Sequence, residues 1–324
     1  MKKSLAVLIA PPFFNYYKGI SKELLNYYED VIYFDDRPKC SSFFKFCIRK
    51  RVPLLFDFLA EKNDKQIQSA LKNKNIDTLI IIKGECISQN LVKWFKEEKK
   101  SEVIIYTWDS LHNNPGFYRF TQLADKAFTF DFLDAKNNNE LKLLPLYSDI
   151  KTTNLNFVSD MNKFDVCFIG SYHADRAKVL NRFIKENSDF TYFFRIYFPS
   201  KAQYILYWIL DRELRKLPFG IVTFTPTSKS DIQNIYNCSE AVLDIHNINQ
   251  SGMTMRTLEV LSSGHRLITT NMDAIEYLKD CNISYLDRET GKITNLSPLP
   301  GEVQDGTFKY DFSLKEWARK LLMS

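Results

Sequence analysis

Glycine and proline are scarce in this 324-residue chain, at 10 and 11, and histidine is scarcer still at four. So few chain breakers exclude long flexible linkers. Four histidines with no regular spacing argue against a zinc site, and no metal is expected. The six cysteines, at 40, 47, 86, 167, 238 and 281, form no C-x-x-C pair. Several sit inside apolar runs, which fits buried reduced thiols in a cytosolic protein. No apolar run approaches the ~18 residues of a bilayer-spanning helix; YILYWIL at 204–210 is too short. The N-terminal MKKSLAVLIAPP imitates a signal peptide, but its apolar run is confined to residues 5–10 and ends at Pro11-Pro12. It reads instead as a first buried strand. P-loop, G-x-S-x-G and G-x-G-x-x-G motifs are absent, which removes several common chemistries. A net charge of +5, without RNA-motif aromatics or a long basic stripe, excludes nucleic acid as the expected partner.

What is present is ordinary in bulk, with 45% apolar and 26% charged residues, and aromatic-rich at 15%. The length exceeds one hydrophobic core and predicts two domains. Apolar runs of four to six residues (SLAVLIA, DVIYF, DTLIII, EVIIYTW, KAFTF) alternate with helical patterns, Ser88 capping one of them. After a polar connector the alternation restarts with FDVCFIG, FTYFFRI, GIVTF, EAVLDI, HRLITT and ISYL. One helix is predicted through AQYILYWILDRELRK. Runs apolar on both faces, separated by helices, predict an α/β protein with parallel sheets covered on both sides. The reading is two doubly wound Rossmann-like domains facing a cleft, over residues 1–155 and 156–305, with a terminal helix at 306–324 packing back on the first. Ligands of such sheets bind at the carboxyl ends of the strands.

The segment SGMTMRTLEVLSSGHRLITTN, residues 251–271, reads as loop, helix and strand. Ser251, Gly252, Met253 and Thr254 open it, where a bare backbone and unpaired N–H groups suit an anion. Arg256 could fork onto phosphate, and Glu259, one turn on, could accept bonds from paired ribose hydroxyls. Gly264 ends the helix. In GSYHADR, Gly170, Ser171 and Arg176 form a second strand-to-helix loop suited to a diphosphate, while His173 could equally cap a solvated helix. LDIHNIN puts His246 and Asn247 at a strand end. In YTWDSLHNNPG, Trp108, Asp109 and His112 follow a buried strand. Asp109 is the first candidate for a general base and His112 the second; the alternative is an aspartate capping the turn with Asn113 and Asn114. Lys83, Gly84 and Glu85 occupy another strand end, and Gly19 a loop that could approach a ligand. The pair Asp35-Asp36 reads as a solvated turn. Six cations and no carboxylate lie in residues 37–53, interleaved with Phe43, Phe44 and Phe46. That composition suits anionic lipid headgroups or a solvated helix face.

The segment at 251–271 resembles the nucleotide-binding stretch of GT-B glycosyltransferases, especially the group-one-like and spore-maturation-protein-like families of surface polysaccharide synthesis. FDVCFIGSYHADRAKVLNRF resembles the start of their C-terminal domain, and YDFSLKEWARKLL their closing helix. The resemblance covers about half the chain, nearly all in its C-terminal half. It implies a nucleotide-sugar donor held by Gly170, Ser171, Arg176, His246, the 251–254 loop, Arg256 and Glu259. It also implies a glycan or lipid-linked glycan acceptor met by Gly19, Lys83, Gly84 and Trp108, in a cytoplasmic enzyme that contacts the inner membrane face through residues 37–51 and 204–216. No cofactor is implied. There is no D-x-D motif, which fits metal-free stabilisation of the leaving group by arginines and helix starts. Where many retaining members carry two glutamates eight positions apart, Glu259 fills the second place and Ser251 stands at the first. Stereochemistry therefore stays open, as do two other readings: a nucleotide-sugar epimerase on the same fold, and a non-catalytic nucleotide-sugar or glycan-binding module.

Overall fold

The chain divides into two compact units, Met1–Tyr147 with Phe312–Ser324, and Ser148–Asp311. The computed structural model describes residues 2–12, 15–38, 44, 48, 52, 54–148, 164–173, 175–218, 220–279, 281–295 and 310–324. Most of the basic stretch at 37–53, both Cys40 and Cys47, and residues 149–163 of the connector lie outside the described residues.

The first unit holds strands β1 (Lys3–Ala10), β2 (Tyr28–Asp35), β3 (Thr78–Ile82), β4 (Glu102–Tyr106), β5 (Lys126–Thr129) and β6 (Lys142–Leu143). They form one sheet in the order β2-β1-β3-β4-β5-β6, parallel throughout. Register aligns Val7 with Leu79 and Leu79 with Val103, then Ile9 with Ile81 and Ile81 with Ile105. These rows pack with Ile67, Leu71, Leu91, Val92 and Phe95 from the helices Leu55–Leu71 (α2) and Gln89–Glu97 (α3). The alternate residues Leu8, Ile80 and Ile104 are just as buried. Both faces are therefore covered, which is what continuous apolar runs require. Ser88 caps α3 as expected, its Oγ accepting from the N–H of Asn90 and Leu91 at 3.0 and 3.3 Å. The first helix, α1 (Tyr16–Leu24), is followed directly by β2. Pro115–Leu123 forms a 3₁₀ helix.

The last helix, Leu314–Met323, belongs to this first unit. Its Trp317 is buried, with ring centroids 5.1 Å from Tyr106 and 5.3 Å from Tyr147.

The second unit holds β7 (Phe164–Ser171), β8 (Tyr192–Tyr197), β9 (Val222–Thr223), β10 (Ser239–Asp244), β11 (Arg266–Thr269), β12 (Ile283–Leu286) and β13 (Ile293–Asn295). Their order is β13-β12-β11-β10-β7-β8-β9, parallel except for β13. The chain runs from β7 outward to β9 on one side, then returns as β10 on the other. The order thus reverses between β7 and β10, the position where doubly wound sheets open a crevice at their carboxyl edge. The corresponding reversal in the first unit lies between β1 and β3. In place of the single helix predicted at 202–216, Lys201–Leu210 and Arg212–Lys216 are separate helices. Asp211 ends the first and caps the second, accepting from Glu213 N–H at 2.8 Å.

Candidate functional site

The two loops singled out in the C-terminal half come from neighbouring strands of the second sheet. β7 ends at Ser171 and β10 at Asp244, and the two strands pair directly. The order reversal thus brings the GSYHADR loop beside the start of the helix Met255–Ser262. Gly170 lies between the arginines of the two loops. A Cβ there would sit 3.0 Å from Phe168 Cζ, 3.2 Å from Arg176 Nη1 and 3.4 Å from Arg256 Nη2. Both guanidiniums also lie over the Phe168 ring, at 5.7 and 5.3 Å.

Arg176 is nearly buried, and its donors brace the backbone. Nε and Nη2 donate to Ile245 O at 3.1 and 2.9 Å, and Nη1 donates to Ser171 O at 2.7 Å. Burial, and next the charge of Arg256, push its pKa down to about 9. The group remains a cation near neutral pH, and an anion arriving beside it would relieve both costs.

The residue that organises this edge is Asp244, which the sequence reading passed over as the end of an apolar strand. It is fully buried. Its Oδ2 accepts from Thr254 Oγ1 at 2.8 Å and from Thr257 Oγ1 at 2.6 Å, while Oδ1 lies 3.5 Å from Arg256 Nη1. Thr254 in turn caps the helix, its Oγ1 accepting from Thr257 N–H at 3.1 Å. The helix start, read from sequence as the anion cradle, thus already has a side-chain cap and an internal carboxylate beneath it. The positive charge left for a ligand resides on the arginines more than on the helix terminus. Ser251, Gly252 and Met253 are buried, and Asn271 Nδ2 donates to Ser251 O and Gly252 O at 2.8 and 3.3 Å. Glu259 is half-buried on the second turn.

A third arginine was not foreseen. Arg288, from the turn between β12 and β13, places Nη1 at 2.7 and 2.8 Å from both carboxylate oxygens of Asp175. Its Nη2 donates to the backbone oxygen of His246 and lies 3.1 Å from His246 Nδ1. An arginine can only donate, so Nδ1 is the bare nitrogen and Nε2 carries the proton. Thr270 Oγ1 lies 2.9 Å from the same Nδ1. Burial, then the Arg288 charge, hold His246 down at about 4. Its ring is therefore neutral near pH 7, a fixed N–H donor at the strand end. Burial and Arg176 likewise hold His173 at about 4.

The N-terminal candidates gather at the carboxyl edge of the first sheet, except one. Lys83 and Gly84 follow β3 in left-handed backbone, φ 67° and 57°. Asn114 Nδ2 donates to Lys83 O at 3.1 Å. Lys83 Nζ lies 3.7 Å from Asp109 Oδ2, and Asp109 Oδ1 accepts from Asn113 Nδ2 at 2.9 Å. Trp108 packs in an aromatic group, 5.6 Å from Tyr16 and 5.9 Å from Tyr147. His112 is exposed. Gly19 departs from the reading of a loop: it lies inside α1, where a Cβ would meet Leu314 Cδ2 at 3.4 Å. Asp36 departs too. Far from solvated, it is wholly buried, its Oδ2 accepting from Glu85 N–H at 3.0 Å. Arg37 Nη1 lies 3.4 Å from Glu85 Oε2.

Neither a protein-family model nor a characterised relative matches the sequence. Solved structures do match in fold. The chain is similar to sucrose-phosphate synthase from Thermosynechococcus elongatus, with a TM-score of 0.57 at 10% identity over 89% of this chain and 88% of that one. It is also similar to the glycosyltransferase of kitacinnamycin, with a TM-score of 0.50 at 9% identity over 90% and 88%. With both parallel sheets accounted for along most of its length, the chain has the GT-B fold.

Proposed function

We propose that this protein transfers a sugar from a nucleotide-sugar donor to a hydroxyl group, with the donor's diphosphate bound at the reversal point between β7 and β10. The observation that carries this reading is the convergence of Arg176 and Arg256 on side-chain-free Gly170 at the carboxyl edge of the second sheet. In transfer, the bond from the anomeric carbon to the diphosphate oxygen breaks, and a bond to the acceptor oxygen forms. Negative charge grows on the departing diphosphate. Fixed guanidinium groups near that oxygen stabilise it without reorganising. His246 Nε2–H supplies a neutral donor to sugar or phosphate, and Glu259 accepts from the ribose hydroxyls. The acceptor hydroxyl loses its proton to a base, and Asp109 is assigned that role. The Lys83 ammonium lies 3.7 Å from its Oδ2, at the carboxyl edge of the first sheet. The acceptor is assigned as a glycan or lipid-linked glycan. With arginines supplying the positive charge, no divalent metal takes part, so a chelator should leave turnover unchanged.

Calorimetry with UDP, GDP, CDP and dTDP tests the donor half. At least one should bind the wild-type chain, and Glu259→Ala should weaken that binding by roughly 1–3 kcal/mol. A folded wild-type chain that binds none of them would overturn the reading. Incubation of a UDP-sugar with no acceptor separates transfer from the epimerase alternative, which alone would convert the sugar under those conditions.

A further inference from the structure

The helix Lys201–Leu210 (KAQYILYWIL) buries none of its residues. Its inward side is set by Tyr204 and Tyr207. Tyr204 packs on Phe198 and Phe224 at 5.2 and 5.8 Å, and Tyr207 on Tyr172 at 4.9 Å. Helical spacing then turns Ile205, Leu206, Ile209 and Leu210 outward together. Their exposures are 56, 55, 61 and 70%, with Trp208 at 45% on the margin. Soluble surfaces seldom keep so many large apolar side chains together without using them.

Charge identifies what covers them. Lys201, Arg212, Arg215 and Lys216 border the stripe, against two carboxylates, Asp211 and Glu213. Both carboxylates are engaged internally. Asp211 accepts from Tyr172 OH at 2.7 Å, and Glu213 accepts from Asn181 Nδ2 at 3.1 Å and pairs with Lys216. Arg215 Nη1 donates to Trp208 O and Ile209 O at 2.8 Å each, which fixes a cation at the end of the helix, 6.0 Å from the Trp208 ring. A second copy of the chain docking by two-fold symmetry would bring these like charges together. An anionic bilayer surface instead matches both features: acyl chains for the isoleucines and leucines, phosphates for the cations. Ten residues span about 15 Å, too little to cross a bilayer but enough to lie in its headgroup layer.

We propose that the outward face of the helix at 201–210 inserts into an anionic membrane surface, with Lys201 and Arg212 on the lipid phosphates. This goes beyond the sugar-transfer reading and does not rest on it. Flotation of the full chain tests it, using phosphatidylcholine vesicles with or without phosphatidylglycerol. The chain should float with the anionic vesicles only, and added salt should release it. Ile205→Ser/Ile209→Ser should cut the bound fraction about tenfold or more, and so should Lys201→Glu/Arg212→Glu. All four side chains point outward, so circular dichroism should show both variants folded. A full chain that floats with neither vesicle, or equally with both, would overturn the proposal. So would an unaffected apolar double variant. A wild-type dimer that the same apolar pair converts to monomer, without any vesicle binding, would also overturn it and assign the face to a second copy.

Discussion

Asp244 shows how much one carboxylate can decide. It has no solvent, and two threonine hydroxyls and one guanidinium depend on it. Asp244→Ala removes the carboxylate that both hydroxyls donate to and that faces Arg256, and breaking a buried charge pair costs about 3–5 kcal/mol; urea denaturation should register a loss approaching that size. Asp244→Asn keeps an acceptor and should lose less. Gly170→Ala probes the neighbouring feature from the other side. The new methyl would crowd Phe168 and both arginines at 3.0–3.4 Å. Nucleoside diphosphate affinity should fall about three- to tenfold, or roughly 0.6–1.4 kcal/mol, with a smaller change in stability. Equal affinity in calorimetry would show that the arginine spacing is unimportant. At this scale the sequence exposed Gly170, Arg176 and Arg256, because glycine and arginine at a strand-to-helix turn are unusual. It concealed Asp244, whose apolar neighbours make it look like part of a core strand. It concealed Arg288 as well, since 113 positions separate that residue from Asp175.

Whole elements were easiest to read where one rule governed them. Ser88 followed by an amphipathic run announced α3, and Ser88→Ala should cost about 1 kcal/mol of stability, visible as a lowered urea midpoint. The helix Leu55–Leu71 was harder to see. Two of its buried positions are Asn63 and Asp64, which made its inner face look polar. Those side chains face backbone: Asn63 Nδ2 donates to Cys86 O at 3.4 Å, and Asp64 Oδ1 accepts from Ser88 N–H at 3.4 Å. The break at Asp211 escaped notice because aspartate is tolerated in a helix until a second chain segment, here Tyr172, claims its side chain. The antiparallel β13 is three residues long, too short for any alternation to emerge.

Across the molecule, the buried titratable groups of the two units should respond to acid in opposite directions. Burial raises Asp36 of the first unit to about 7 and Asp134 to about 6. Below those values the folded state holds protons that the unfolded chain releases, so acidification from about pH 7 to about pH 5 stabilises the first unit. In the second unit His173 and His246 sit at about 4. Their unfolded forms take up protons below the ordinary histidine value while the folded forms do not, so the same acidification destabilises that unit. Each histidine contributes at most about 1.4 kcal/mol per pH unit. Urea titrations at the two pH values, followed by hydrogen exchange in peptides from each sheet, should show protection rising for β1–β5 and falling for β7–β12. Movement of both sheets in one direction would contradict the assignment. The alternating pattern of strands and helices foretold two parallel sheets, since that pattern is local. The pH behaviour was hidden, because it depends on which loops fold over which side chains.

The first unit also contains both early and late stretches of the polypeptide. Trp317 completes the aromatic cluster around Tyr106 and Tyr147. The first unit therefore completes that cluster only with a segment that follows the whole of the second unit along the chain. A chain that stops after residue 311 would lack the Trp317 ring against Tyr106 and Tyr147, leaving an aromatic surface for chaperones to occupy.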